Sequence, residues 1–139
     1  MEVLYIKRLA PDVPVPEYKT FGSAGLDLAI REDVHLWPHE TKRVSTGLAI
    51  SIPRGYVGHI HARSSMFYRG LDLDGVIDSD YRGEVMLQIR NTSDNPIKLE
   101  AGLRVAQLLI QPVVQPVVQV VVELDETERG EGGFGSTGR

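Results

Sequence analysis

The 139-residue chain has no cysteine. Disulfides, thiolate zinc centres and cysteine nucleophiles are therefore excluded by inspection, although the redox compartment is not specified by that absence. No stretch is apolar enough to span a bilayer, so no membrane association is expected. The N-terminal MEVLYIKRLAPDVP lacks the long apolar core behind a basic start that marks a signal peptide. A surplus of positive charge is missing too: 15 Lys and Arg stand against 19 Asp and Glu, for a formal net charge of −4. A general nucleic-acid binder needs a basic face that displaces condensed counterions, so no nucleic-acid partner is expected and any anionic ligand must be held by local devices. What remains is a soluble, cytoplasmic protein with one domain's worth of residues, and its 42% hydrophobic composition is enough to bury a core.

Helix signals are scarce, and the dominant periodicity is two, in which alternate side chains fall on opposite faces of a strand. Between Arg82 and Arg90, Val85, Leu87 and Ile89 share one face while Glu84, Met86, Gln88 and Arg90 share the other. Val3 to Leu9, Leu26 to Ile30, Val44 to Ile52, Tyr56 to Ala62, Ile97 to Leu99 and Leu103 to Ile110 read in the same way, separated by turn signals such as SDNP and EAG. Many short strands in one small domain predict an all-β jelly-roll-like sandwich or barrel. The valine-rich run from Pro112 to Glu123 repeats every four residues and predicts a further strand with Gln115, Gln119 and Glu123 on one face, at a sheet edge or bulge because Pro116 has no amide hydrogen. It is read either as a core strand or as a surface buried against another subunit. One short helix is predicted near Ser64 to Arg69, with a serine as its N-cap. The β domain is placed at residues 1–126, followed by a flexible glycine-rich tail over residues 127–139.

Four stretches carry possible chemistry. Arg63, Ser64 and Ser65 precede the helix and make either an anion cradle or an ordinary capped surface turn. Asp78, in GVIDSDYRGE, follows an apolar strand and is either a rigidly placed general base or a turn residue bonded to nearby amides. Gln107 is a polar residue on an apolar strand face and needs a partner, whether a phosphate or a backbone group. In the tail RGEGGFGSTG, glycines permit close approach of amides to oxyanions, and Arg129, Ser136 and Thr137 add donors. The tail lacks the lysine of a Walker loop and follows no strand-to-helix unit, and a plain Gly/Ser linker has no use for Phe134.

Together with Ala24-Gly25-Leu26-Asp27-Leu28, these stretches stand in the order of the five motifs of the dUTPase family, from about Ser23 to Gly138, and the chain resembles that family. GVIDSDYRGE and GGFGSTG are the most specific pieces. The resemblance implies a homotrimer of jelly-roll-like subunits that hydrolyses dUTP to dUMP and pyrophosphate with Mg2+, each active site being shared among three chains. It implies Asp78 as the base for the attacking water and Tyr81 as the residue packed on the deoxyribose. Arg63, Ser64, Ser65 and Gln107 are implied phosphate ligands, with Ser64 near the leaving oxygen. Arg129, Ser136 and Thr137 are implied contacts to the β- and γ-phosphates, and Phe134, beside Gly135, is the implied lid on uracil. Backbone groups of a hairpin between Gly70 and Ile77, including Gly75, Val76 and Ile77, would read the base, and Asp27 is implied as an acid associated with magnesium through water. Two features depart from the family pattern: Asp72 and Asp74 stand where an amide or small residue is more usual, and Ser65 replaces a common glycine.

Three other readings are weighed. The dCTP deaminases share a similar Arg-Ser-Ser stretch, but their proton-shuttling glutamate falls at Gln88 here and their usual tryptophan at Tyr81. A nucleotide-responsive regulatory binding protein would have no need of both Asp78 and the whole tail. A histidine metal enzyme is suggested by His59 and His61, which share a strand face, but no third ligand is evident from the order of residues alone.

Overall fold

The computed structural model describes residues 2–135, so Ser136 and Thr137 lie outside the described residues. Nine strands and one short helix follow in the order β1 (Tyr5–Arg8), β2 (Leu26–Ala29), β3 (Val34–Leu36), β4 (Thr41–Ser51), β5 (Tyr56–Ala62), α1 (Ser64–Tyr68), β6 (Leu71–Ile77), β7 (Glu84–Asn91), β8 (Ile97–Leu99) and β9 (Arg104–Pro112). All pairings are antiparallel. Seven strands form one curled sheet in the order β1-β4-β7-β6-β5-β9-β2, and β3 pairs with β8 in a small second sheet. The result is a jelly-roll-like half-barrel, as the period-two pattern predicts. No helix of the described residues is long and apolar enough to cross a membrane.

Alternation sorts the side chains. Leu28, Leu36, Leu87, Ile89, Leu99 and Leu108 fill the concave interior and are almost wholly inaccessible. Each such side chain contributes about 1.5–3 kcal/mol by leaving water. On β5, Gly58 and Ile60 point inward and His59 and His61 outward; on β6, Leu71, Leu73 and Ile77 point inward and Asp72, Asp74 and Val76 outward. Gly58 is small because the wall is crowded there: a Cβ would come within 2.7 Å of Ile52 Cδ1 and 3.1 Å of Leu108 Cδ1.

Two expectations are corrected. The valine-rich segment forms no strand: β9 ends at Pro112, Val113 N still donates to Gly55 O at 2.9 Å, and residues 114–123 are exposed without pairing. The physical reason is that the protomer offers this run no partner strand, and Pro112 and Pro116 interrupt any ladder. The helix is also not capped by serine. Arg63 occupies the N-cap position with extended backbone (φ −64°, ψ 146°) and no side-chain cap, while its carbonyl accepts the amides of Met66 and Phe67 at 2.9 Å. The sequence pattern does not mark β3 and β6 as separate strands.

One buried polar side chain joins the two sheets. Asn91, fully inaccessible at the end of β7, donates from Nδ2 to the carbonyls of Leu36 (3.2 Å) and Asn95 (2.7 Å), and its Oδ1 accepts from Ser93 N (2.9 Å) and Ser93 Oγ (2.7 Å). Asn91→Ala removes all four bonds and leaves buried backbone groups unpaired. It should lower unfolding free energy by about 2–4 kcal/mol, measured by urea denaturation, whereas Gln88→Ala on the exposed face of the same strand should change it by less than about 0.5 kcal/mol.

Candidate active site

Strand register builds the first half of the site. Gln107 of β9 lies opposite His61 of β5 on one side and Asp27 of β2 on the other, and His61 lies opposite Asp74 of β6. Directly opposed residues point to the same face of a sheet. Asp74, His61, Gln107 and Asp27 therefore form a row across four strands on the outer surface. At one end of the row, Asp27 is 13% exposed; its Oδ1 lies 3.5 Å from Arg63 Nε and its Oδ2 3.8 Å from Arg104 Nη1. Arg63 is itself tethered, since its Nη1 donates to Arg104 O at 3.2 Å. Ser64 and Ser65 are exposed at the start of α1, and because neither caps the helix their hydroxyls are free for a ligand. Gly25 keeps Gln107 accessible: a Cβ at that position would stand 3.2 Å from Gln107 Oε1. Arg63 and Arg104 thus stand beside Asp27, and Ser64 lines a groove with Gln107, a set of donors that suits an anion shelf.

The second half lies where two strands part. β6 pairs with β7 only from Leu71↔Asn91 to Leu73↔Ile89, while from Asp74 to Ile77 it pairs with β5 instead. Beyond Leu73 the edge of β6 that faces β7 has no partner strand among the described residues. The opening is lined by Val76, Ile77, Asp78, Tyr81, Val85 and Met86. No separate hairpin interrupts residues 71–77, which corrects that expectation; the open edge of the single strand offers the backbone groups instead. Asp78 is exposed at the strand end, and its carboxylate makes no hydrogen bond among the described residues; only its carbonyl closes the turn, accepting Tyr81 N at 3.1 Å. Tyr81 folds back so that its hydroxyl donates to Glu84 O at 2.8 Å. Glu84 in turn accepts from Ser45 Oγ and from Gly47 N at 2.9 Å, tying down the irregularity in β4 between Ser45 and Ala49.

The protomer does not bring these halves together. The grooves beside Asp78 include neither Ser64 nor Gln107, and those beside Ser64, Gln107 and Asp27 do not include Asp78. The described part of the tail, to Gly135, meets neither half: the Arg129 carbonyl closes a local turn by accepting Gly132 N at 3.1 Å, and Phe134 is fully exposed in the left-handed region (φ 49°) beside Gly135 (φ 90°). Asp72 and Asp74 line the groove with Ser64 and Gln107 rather than the opening beside Asp78. Asp74 also supplies what the reading of the histidines lacked. His59 Nε2 is 2.9 Å from Asp74 Oδ1 and His61 Nδ1 is 4.0 Å from it, so a third potential ligand does exist. The signal that finds it is the Leu-Asp alternation of residues 71–74, which marks a strand whose outward acids can meet the outward histidines of β5.

Such donors on one outer surface, with a carboxylate beside an aromatic at a parted strand, suit an all-β protein to an anionic ligand bearing a flat group. Comparison with known proteins narrows the class. The family model described as dUTPase matches residues 12–138. The chain is 47% identical over 138 residues to the deoxyuridine 5'-triphosphate nucleotidohydrolase of Thermobifida fusca (strain YX), covering 96% of this chain and 77% of that protein. It is 45% identical to the enzyme of the same name from Cutibacterium acnes, covering 94% and 91%. Among solved structures, the Staphylococcus bacteriophage 80alpha dUTPase with dUPNHPP superposes with a TM-score of 0.94 at 32% identity over all of both chains. A dUTPase mutant from phage phi11 of S. aureus, described as coordinating a structural Mg(II) ion, superposes with a TM-score of 0.83 at 26% identity over 89% of this chain and 99% of that one. The chain belongs to the dUTPase family.

Gly83 is the residue on which the pose of Tyr81 depends: a Cβ at that position would fall 2.4 Å from Tyr81 Oη and 2.7 Å from Cζ. Gly83→Ala should expel the ring and cost about 1–3 kcal/mol, the usual penalty of overpacking. In a Tyr81→Ala background most of that cost should vanish, so a double-mutant cycle on urea midpoints should return a coupling energy above about 1 kcal/mol. Additive effects would place the strain elsewhere.

Proposed function

We propose that the protein hydrolyses dUTP to dUMP and pyrophosphate in a site assembled from three copies of the chain. The observation that carries this reading is the separation of the two halves within one protomer: family membership requires them to act together, and a cyclic trimer allows one chain's anion shelf to face another chain's Asp78. The exposed valine run from Val114 to Val122 supports the same assembly, since so much apolar surface in water is a surface meant to be covered.

In this reading Arg63, Ser64, Ser65 and Gln107 hold the triphosphate, with Ser64 donating to the bridging oxygen that leaves with pyrophosphate. Asp78 takes a proton from the water that attacks the α-phosphorus. Its carboxylate suits that role because no neighbour uses its lone pairs and a strand end fixes its position. Tyr81 packs on the deoxyribose and leaves no room for a 2′-hydroxyl, and the open backbone edge of Gly75, Val76 and Ile77 pairs with uracil. Residues 127–139 form the closing tail on the 1–126 body: Arg129, Ser136 and Thr137 bind the outer phosphates, and Phe134 with Gly135 covers the base.

Asp27 fits magnesium. Its Oδ2 is buried and accepts no hydrogen bond among the described residues, and a single carboxylate completed by waters and phosphate oxygens is how such ions are usually held. Bound there with the nucleotide, Mg2+ would neutralise phosphate charge that the arginines leave uncompensated.

Asp78→Asn keeps shape and removes basicity, so dUTP affinity should persist while turnover falls roughly a hundred- to ten-thousand-fold; pyrophosphate release and calorimetric titration measure the two. Near-normal turnover would remove Asp78 from the mechanism. A panel of dUTP, dTTP, dCTP and UTP with magnesium tests the substrate, with dUTP turned over fastest by a wide margin.

Sharing among chains has its own test. Asp78→Asn and a chain truncated after Asp125 should each be inactive. A mixed trimer of the two, in either stoichiometry, contains one site with Asp78 from the truncated chain and the tail from the substituted one. Random mixing in equal amounts makes about three quarters of trimers mixed, so co-refolding should restore about a quarter of sites. No recovery, with mixed trimers verified by mass spectrometry, would show that one chain supplies both elements.

A further inference from the structure

We infer that His59, His61 and Asp74 form a binding site for a zinc-class divalent ion, separate from the magnesium that accompanies the nucleotide. Their ligand atoms, one from each residue, lie within 4.8 Å of one another. A tetrahedral ion with bonds of about 2.1 Å separates its ligands by roughly 3.4 Å. The observed separations of Asp74 Oδ1 from His59 Nε2 (2.9 Å) and from His61 Nδ1 (4.0 Å) bracket that distance. Small side-chain rotations suffice to seat the ion, because the backbone already holds the three residues on one face: His61 and Asp74 are direct partners, and His59 lies two residues along the same strand.

The scaffold is stiff. Four consecutive pairs join β5 to β6, and seven join β5 to β9 on its other side. In the single chain the side chains of His59, His61 and Asp74 are 32%, 44% and 68% exposed, which leaves an ion a path to the three ligands and open positions for water or for a group of a neighbouring chain. Two imidazoles with one carboxylate select zinc, cobalt, nickel or copper over magnesium, which prefers an all-oxygen shell. Asp72, outward on the same strand and lining the same groove, adds negative charge without competing for the histidines. The inference does not depend on hydrolysis of dUTP, and its test uses no nucleotide.

The experiment is a titration of tag-free, chelator-stripped full-length protein with Co2+, followed by visible absorption. One Co2+ per chain should bind, giving bands of an ion with nitrogen ligands; Zn2+ should displace it, and a large excess of Mg2+ should not. His59→Ala, His61→Ala and Asp74→Asn should each weaken binding by about tenfold or more, the least expected when a ligand is lost. His39→Ala removes the other histidine paired with an acid, Asp94 at 3.0 Å, and should leave binding unchanged. Circular dichroism checks that each variant is folded, and Asp74→Asn, which preserves shape, carries the test if a histidine variant does not fold. Absence of saturable Co2+ binding, binding insensitive to all three substitutions, binding lost in His39→Ala, or displacement by Mg2+ would each overturn the assignment.

Discussion

Strand β9 runs between β5 and β2, and its pairing fixes everything on the outer surface. Seven pairs with β5 and four with β2 set which residues stand opposite one another, and through β5 the same register reaches β6. A slip of one residue would turn Gln107 inward and bring Ala106 and Leu108 out of the core. Burial of those apolar neighbours therefore enforces the polar row: the interior holds the strand in place, and the exterior is aligned as a result. The bulge between Leu28 and Ala29 falls just after Asp27, so the carboxylate keeps its register before the strand departs from it.

Glu84 has a comparable place on the other half of the site. Its side chain braces the β4 irregularity around Gly47, whose φ of 73° and closeness to Val13 both suit glycine, while its carbonyl receives the Tyr81 hydroxyl. Thr46 adds to the brace by donating to Val85 O at 2.6 Å. Fold and pose are thus coupled through one residue, and a change at β4 reaches the aromatic without touching it.

The fold was largely legible because alternation is strong. Alternation and turn signals bound Tyr56–Ala62 and Ile97–Leu99 as the structure has them, and they sort Val85, Leu87 and Ile89 to the interior. The three-residue β3 is too short for a periodicity, and the hairpin expected between Gly70 and Ile77 rested on the family resemblance rather than on a pattern in those residues. Ser64 looked like a cap because serine often is one, yet the carbonyl of Arg63 serves the first turn instead. The valine run is not the core strand that its pattern allowed, because a strand needs a partner and the described residues supply none; the alternative, a surface covered by another subunit, is untouched by this. At the site, residue types were readable and their grouping was not. Asp74 is separated from His61 by a helix and a turn, and only pairing brings them together.

The exposed run from Val114 to Val122 has a consequence for the newly made chain. Val117, Val118, Val120 and Val122 are each more than 90% accessible, on backbone with unpaired amides and carbonyls. A lone chain whose sheet is complete still presents an exposed apolar, β-prone ribbon of the kind that other chains can join. If the proposed assembly covers that ribbon, the persistence of a newly made chain depends on how quickly the ribbon is taken up as well as on its folding free energy, so synthesis rate and encounter frequency enter its stability.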